Sequence, residues 1–372
     1  MEVDMPTHSR RGARAVVAAV VVGAIVATAF LALPRAASAD IGAREVAGGL
    51  NQPVAFTFGP GRVLWYVEKA SGQVRTYDLD TGEDRLFYQV TRVNGDGERG
   101  MLGIALHPQY PAQPYVYVYA TRSVAGKLKN QILRITDAGG SGSARTVIFS
   151  SPASSSPYHN GGRILFGPDG MLYAIVGDGH DASNSQDLRR NDRGKILRMT
   201  PDGDVPNSNP RASRMWAFGI RNSFGFAFDP RTDRLWQSEN GPACNDEVNL
   251  IREGRNYGWG PNATCTGSAP GNTNRDGPKP VRPELLYEQT IGITGIAFCE
   301  DCHLGSKGNG RAFFGAVNDG RVRRATFDAR RSDIRRARVV YDHPSGVLSV
   351  EVGPGGALYF SDFGAVYRLV RT

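Results

Sequence analysis

Three polar segments hold most of the residues that could do chemistry. The first, Tyr158-His159-Asn160-Gly161-Gly162-Arg163, sets an imidazole beside paired glycines. Such a segment lets a planar ligand approach the backbone next to a general base that works near neutral pH, although a histidine bonded to a loop carbonyl would read the same way. The second is Gly177-Asp178-Gly179-His180, at the end of an apolar run. Asp178 can orient an imidazole, hold a sugar hydroxyl or close an Asx turn, and spacing does not choose among these. The third is the richest: Arg221-Asn222, then Glu239-Asn240-Gly241-Pro242, Asn245-Asp246-Glu247-Val248-Asn249 and Asn256-Tyr257-Gly258-Trp259. Carboxylates, amides and turn carbonyls at this density suit a hard cation such as calcium, as they also suit a surface turn rich in Asp and Asn. A G-x-S-x-G elbow, an H-E-x-x-H helix and a P-loop are all missing from the chain, so the common hydrolase and nucleotide signatures give no lead.

The elements that must position these segments recur along the chain. A short apolar strand runs into a Gly-Pro or Asp-Pro type turn and a second apolar strand follows. The unit appears at Phe56–Val67, Leu102–Tyr119, Ile164–Val176, Phe226–Trp236, Gly295–Gly315 and Val350–Phe360, and several copies continue into a third strand ending in a basic residue, as in Lys195-Ile-Leu-Arg198. Six units of short strands with Gly, Pro and Asp turns predict four-stranded blades and an all-β, six-bladed β-propeller over residues 40–372. The 46 glycines among 372 residues agree with a fold made of tight turns. Loops from one rim would converge over the central channel, where a ligand site is expected.

Residues 1–39 read as a signal peptide: a basic stretch ending at Arg14, an apolar run over residues 15–33, Pro34, and the small-x-small triplet Ala37-Ser38-Ala39. An uncleaved anchor is the alternative, because that run is just long enough to span a bilayer. Either reading exports the chain, as a secreted or extracytoplasmic protein, and favours disulfides among its four cysteines. Cys244 and Cys265 would staple a loop rich in Gly, Asn and Pro. Cys299 and Cys302 would close a small ring or, with His303, spell the C-x-x-C-H signature of haem attachment. The net charge of +8 includes the runs Arg321, Arg323, Arg324 and Arg330, Arg331, Arg335, Arg336, Arg338. The second run carries no interleaved aromatic residues, so a solvated or anion-attracting face is expected and not a nucleic-acid groove.

Together, Gly100–Pro108, His159–Arg163 with Phe166–Gly170, Gly194–Arg198, Arg221-Asn222, Glu239–Pro242 with Asp246–Asn249, and Asn256–Trp259 resemble the soluble aldose (glucose/sorbosone-type) dehydrogenases that use pyrroloquinoline quinone (PQQ). The resemblance runs from about Gly49 to Arg371 and implies a six-bladed propeller that oxidises an aldose at its anomeric carbon to the lactone and passes electrons to an external acceptor. It also implies roles. His159 would be the general base, with Asp178 beside it. Arg221, Asn222, Asn240 and Asp246 would lie at the cofactor, Arg221 stabilising negative charge on the quinone oxygen. The carbonyls of Gly241 and Pro242 would bind calcium. Four positions depart from the family pattern: Phe224 stands for a Gln, Asn318 for a Lys, and Gly346 and Leu348 for two Arg. Those residues normally meet the carboxylates of the triply acidic cofactor. The departures point to the alternative of a non-catalytic carbohydrate- or protein-binding propeller of the same family, and Arg321 and Arg323 are nearby cations that could substitute. A calcium-dependent lactonase on a similar propeller is a further reading.

Overall fold

A computed structural model describes residues 41–189, 191–263, 265 and 275–372; the expected leader, residues 1–39, lies outside them. The chain enters with β1 (Ile41–Ala47) and then lays down five antiparallel meanders. Blade one holds β2 (Ala55–Phe58), β3 (Val63–Val67), β4 (Gln73–Asp78) and β5 (Asp84–Gln89). Blade two holds β6 (Met101–Leu106), β7 (Tyr115–Val124), β8 (Lys127–Asp137) and β9 (Gly142–Pro152). Blade three follows with β10 (Ile164–Phe166), β11 (Leu172–Val176), β12 (Lys195–Met199) and β13 (Met215–Phe218). Blade four contains β14 (Gly225–Asp229), β15 (Arg234–Glu239), β16 (Cys244–Ile251) and β17 (Leu285–Gln289), and blade five β18 (Ile293–Cys299), β19 (Arg311–Ala316), β20 (Arg321–Phe327) and β21 (Ile334–Asp342). Blade six has three strands from the C-terminal end, β22 (Ser349–Val352), β23 (Leu358–Ser361) and β24 (Val366–Arg371), and borrows β1 as its outer strand, in register from Ile41 opposite Arg371. This closure ties the two ends of the described chain and completes the six-bladed propeller.

Strand alternation gives each blade two apolar faces, and each face packs on a neighbour. Six buried clusters result, one at each blade junction, such as Trp65, Val67, Ile104 and Val118 between blades one and two. First strands line the axis: β2 neighbours β6 and β22, and β18 neighbours β14 and β22. In an up-and-down meander, the loops joining second to third strands and each fourth strand to the next blade emerge on one rim. His159–Arg163, Asp178–His180, Arg221-Asn222 and Glu239–Asn249 fall in such loops or border them, and Asn256–Trp259, in the loop between the third and fourth strands of blade four, runs back to the same rim, where Trp259 N–H donates to the carbonyl of Gly219 (3.0 Å).

Both cysteine pairs are disulfides, Cys244–Cys265 and Cys299–Cys302. The haem reading of Cys299-Glu-Asp-Cys302-His303 is therefore corrected: its sulfurs are bonded to each other, and His303 Nε2 meets the carbonyl of Gly355 at 2.9 Å.

Candidate functional site

His159 sits in the loop between β9 and β10, in the left-handed region at φ 59°. That conformation is unusual for a non-glycine residue and persists only where the surroundings hold it. Here its N–H donates to Glu98 Oε2 (2.7 Å) and its carbonyl accepts from Gly179 N–H (3.1 Å). The following turn needs glycine, since a Cβ on Gly161 would lie 2.6 Å from the carbonyl oxygen of Ile175. The imidazole is buried, with Nδ1 2.7 Å from Asp178 Oδ1.

Asp178, at the end of β11, is buried and fully engaged. Oδ1 also accepts the N–H of His180 (2.7 Å), and Oδ2 accepts Trp259 Nε1–H (2.8 Å). A carboxylate held this way fixes the ring orientation of its histidine, leaving Nε2 for a substrate proton. Of the readings open to Asp178, the structure shows imidazole orientation together with the Asx-type bond to His180. His180 packs edge-on to His159, with centroids 4.8 Å apart.

Arg221 and Asn222 leave β13 on the same rim. The Arg221 guanidinium lies 5.3 Å above the Trp259 ring and donates from Nη1 to the carbonyl of Asn240 (3.0 Å), while its Nε is buried without a partner. Burial pushes its pKa down, against the opposing pull of Asp178, Glu239, Glu98 and Asp246. Both backbone N–H groups of the pair donate to Glu239 Oε1, at 2.6 and 2.8 Å. Burial raises the Glu239 carboxyl to about 7 despite those bonds. Asn222 Nδ2 donates to Glu98 Oε2 at 2.9 Å.

Glu98, in the loop between β5 and β6, thus joins His159 to Asn222, and the sequence reading did not single it out. Its local signal is slight, one of two carboxylates in the turn Asp96-Gly97-Glu98. Its partners stand 61 and 124 residues away.

The acidic stretch expected as a cation loop has a different structure. Asn245 to Asn249 lie inside β16 and are buried. Asp246, expected at the cofactor, spends both oxygens on backbone: Oδ1 accepts Gly241 N–H (2.9 Å), and Oδ2 accepts the N–H groups of Ile291 (2.8 Å), Gly292 (2.7 Å) and Ile293 (3.3 Å). It braces the turn carrying Gly241 and Pro242. Asn240 Nδ2 bonds the carbonyl of Ile293 (2.9 Å), fastening the turn to blade five. The turn is so tight that a Cβ on Gly241 would lie 1.7 Å from the Cys244 carbonyl oxygen and 2.6 Å from that of Asn245. Converging carbonyls with an acid behind them are the donor chemistry of a hard cation. Among the described residues no three His, Cys, Asp or Glu side chains cluster for a metal.

Beside these groups a cavity of about 310 Å3 opens on the propeller axis. Glu98, Gly161 and Lys69 border it, and Phe224, Val317, Leu348 and Phe363 wall it. Two of the departures from the family pattern, Phe224 and Leu348, are therefore apolar walls of a space adjoining the site. Gly346 has no room for a side chain, since a Cβ there would lie 2.7 Å from the Val317 carbonyl oxygen. Arg321 and Arg323 do not substitute: Arg321 Nε pairs with Asp342 (2.7 Å), and Arg323 pairs with Asp319 over the ring of Tyr287. Arg163 crosses the axis instead, donating to the carbonyls of Phe224 (3.0 Å) and Val54 (3.3 Å).

Residues 50–371 match the glucose/sorbosone dehydrogenase family model. The chain belongs to that family. Its relatives within the family include quinoprotein glucose dehydrogenase B of Acinetobacter calcoaceticus, 32% identical over 256 residues, a match that covers 60% of this chain and 53% of that one, about half its length. Aldose sugar dehydrogenase YliI of Escherichia coli is 26% identical over 345 residues, 87% and 90% of the two chains. The PQQ-bound aldose sugar dehydrogenase of Streptomyces coelicolor superposes with a TM-score of 0.75 at 30% identity, over 89% of this chain and 98% of that one. In this glucose/sorbosone dehydrogenase homologue, His159, Asp178, Arg221, Asn222, Asn240 and the Gly241–Pro242 turn are joined through Glu98, Trp259 and Asp246.

Proposed function

We propose that the protein is an exported, quinone-dependent sugar dehydrogenase that oxidises an aldose at its anomeric carbon to the lactone. The observation that carries this reading is the His159–Asp178 pair on the rim where Arg221, Asn222 and the Gly241–Pro242 turn converge. The residues suit the quinone end of PQQ. Arg221 offers a buried donor with no partner in the protein, and the Gly241 and Pro242 carbonyls offer oxygen ligands to calcium. Bound there, the calcium-held quinone would supply the hydride acceptor.

The protein's own residues supply the acid–base work. His159 takes the proton of the anomeric hydroxyl at Nε2, while Asp178 holds Nδ1 and steadies the imidazolium that forms. Arg221 faces developing negative charge in a partly buried setting where that interaction is strong. Trp259 keeps Arg221 and Asp178 in register. Electrons leave to an external acceptor. Residues 1–39 and four cysteines in disulfides support an oxidising, extracytoplasmic setting.

The experiment is a titration of the chain from Asp40 with PQQ and calcium, followed by quinone absorbance, and then addition of a panel of aldoses. Saturable binding with sugar-dependent bleaching is expected, and His159→Gln should abolish the bleaching but keep the binding. The apolar wall of Phe224 and Leu348 favours the second reading, a binding propeller without turnover. Failure of PQQ to bind at high micromolar concentration would establish that reading instead.

A further inference from the structure

Strand alternation sorts the side chains of blade five onto two faces. Ala312, Phe314 and Ala325 pack toward blade four, and Phe313 and Val322 toward blade six. Arg324 shares the face of Val322 and stands opposite Phe313 on β19 and Arg338 on β21. Arg311 lies two residues from Phe313, and Arg336, opposite Thr326, lies two residues from Arg338. Directly opposed side chains start about 5 Å apart and diagonal ones about 7–8 Å apart, so four arginine stems rise from one patch facing blade six. From blade six, Arg371 reaches the β18–β19 loop, its Nη1 3.4 Å from where a Cβ of Gly305 would stand. That loop leads directly into Arg311.

Like charges in such a row repel unless carboxylates intervene. The acids nearby already have partners: Glu300 pairs with Arg231, Asp301 with Asn309, and Asp342 with Arg321. Arg324 Nε is buried and has no hydrogen-bond partner, and burial together with the charge of Arg311 pushes the Arg324 pKa down. Local physics alone would place a neutral residue at position 324. A partly buried guanidinium whose Nε is shut off from water without a partner marks a place where an anion is expected.

We propose that the arginine patch on the face of blade five toward blade six, Arg311, Arg324, Arg336 and Arg338, together with Arg371 of blade six, binds phosphate-bearing anions. Guanidinium forks take phosphate oxygens two at a time, which would give Arg324 its missing partner and relieve the Arg311–Arg324 repulsion. The patch lies toward the rim opposite His159, because Arg311 follows a loop between first and second strands. An anionic surface or polymer held there leaves the site rim open to small molecules. The phosphates could come from a free polyphosphate or from a lipid headgroup lattice, and the two sources separate experimentally.

The test uses the chain from Asp40 at low ionic strength, with tripolyphosphate followed by calorimetry and phosphatidylglycerol vesicles followed by co-sedimentation. Binding of at least one probe is expected, weakened about tenfold by R324M and by R338Q, and weakened also by added salt. R85Q, on the outer strand of blade one, should bind like the wild type. R324M should also melt higher than the wild type, which a merely structural arginine would not do. Binding to vesicles alone assigns the headgroup lattice, and binding to tripolyphosphate alone assigns the free anion. No binding of either probe by the wild type, or undiminished binding by R324M, overturns the proposal.

Discussion

Asp178 and Trp259, 81 residues apart, meet through a 2.8 Å hydrogen bond from the indole Nε1–H to the carboxylate. The ring that makes this bond also carries the Arg221 guanidinium on its face. One side chain from blade four thus connects the acid that orients His159 to the cation proposed for the quinone. Trp259→Phe keeps a ring for Arg221 but leaves one carboxylate oxygen of Asp178 without its donor. Turnover should fall about tenfold and stability by about 1–3 kcal/mol, with quinone affinity little changed. Steady-state kinetics and thermal melting check this, and wild-type turnover in the variant would remove Trp259 from the mechanism.

Partly buried carboxyls set a pH dependence of stability. Burial raises Glu351, beside Arg163 on the axis, and Glu284 from an ordinary 4.5 to about 7. A carboxyl raised in the fold binds its proton more tightly there than in the unfolded chain. Its contribution is complete below the unfolded value and is lost as pH rises through about 7. The melting temperature should therefore drop between about pH 5 and pH 7, and Glu351→Gln should flatten part of that drop and melt a few degrees above the wild type near pH 8. A variant curve parallel to the wild type would show that Glu351 is not one of the titrating groups.

Leu348 walls the axial cavity beside the site. Restoring an arginine there should supply a charge-assisted partner for a carboxylate of the quinone, and Leu348→Arg should bind PQQ about tenfold more tightly. Equilibrium titration reads this directly, without turnover. Unchanged or weaker affinity would mean that the cofactor makes no approach to this wall.

The Cys244–Cys265 disulfide anchors the first residue of β16, two positions past Pro242, to the loop that follows Trp259. Cys265→Ser should lower stability by about 3 kcal/mol, as expected for opening a loop of this length, and weaken calcium binding about tenfold. Calcium titration before and after mild reduction of the wild type checks the second effect. Equal calcium affinity with and without the bond would uncouple the turn from the staple.

Much of the fold was legible because its signals are local. Each apolar strand, Gly-Pro turn and returning strand lies within some twenty residues, as in Ile164–Val176, and each became two strands of one blade. Asp178 and Arg221-Asn222 stood out for the same reason, each a polar group at the end of an apolar run, and His159 stood out by the paired glycines that follow it. β16 misled the reading. Its run of Asn, Asp and Glu has the composition of a surface turn, yet it is a buried strand, and Asp246 is met there by the N–H groups of Ile291, Gly292 and Ile293 where the chain crosses from blade four to blade five.

By itself, then, the sequence determined the propeller, its repeat and the residue types gathered on one rim, since hydrophobic alternation and turn chemistry are properties of neighbours in the chain. Only the tertiary structure decided which of those residues touch. Glu98 beneath His159 and Trp259 between Asp178 and Arg221 depend on which blades ring closure sets side by side, and contacts between residues scores of positions apart leave no local trace.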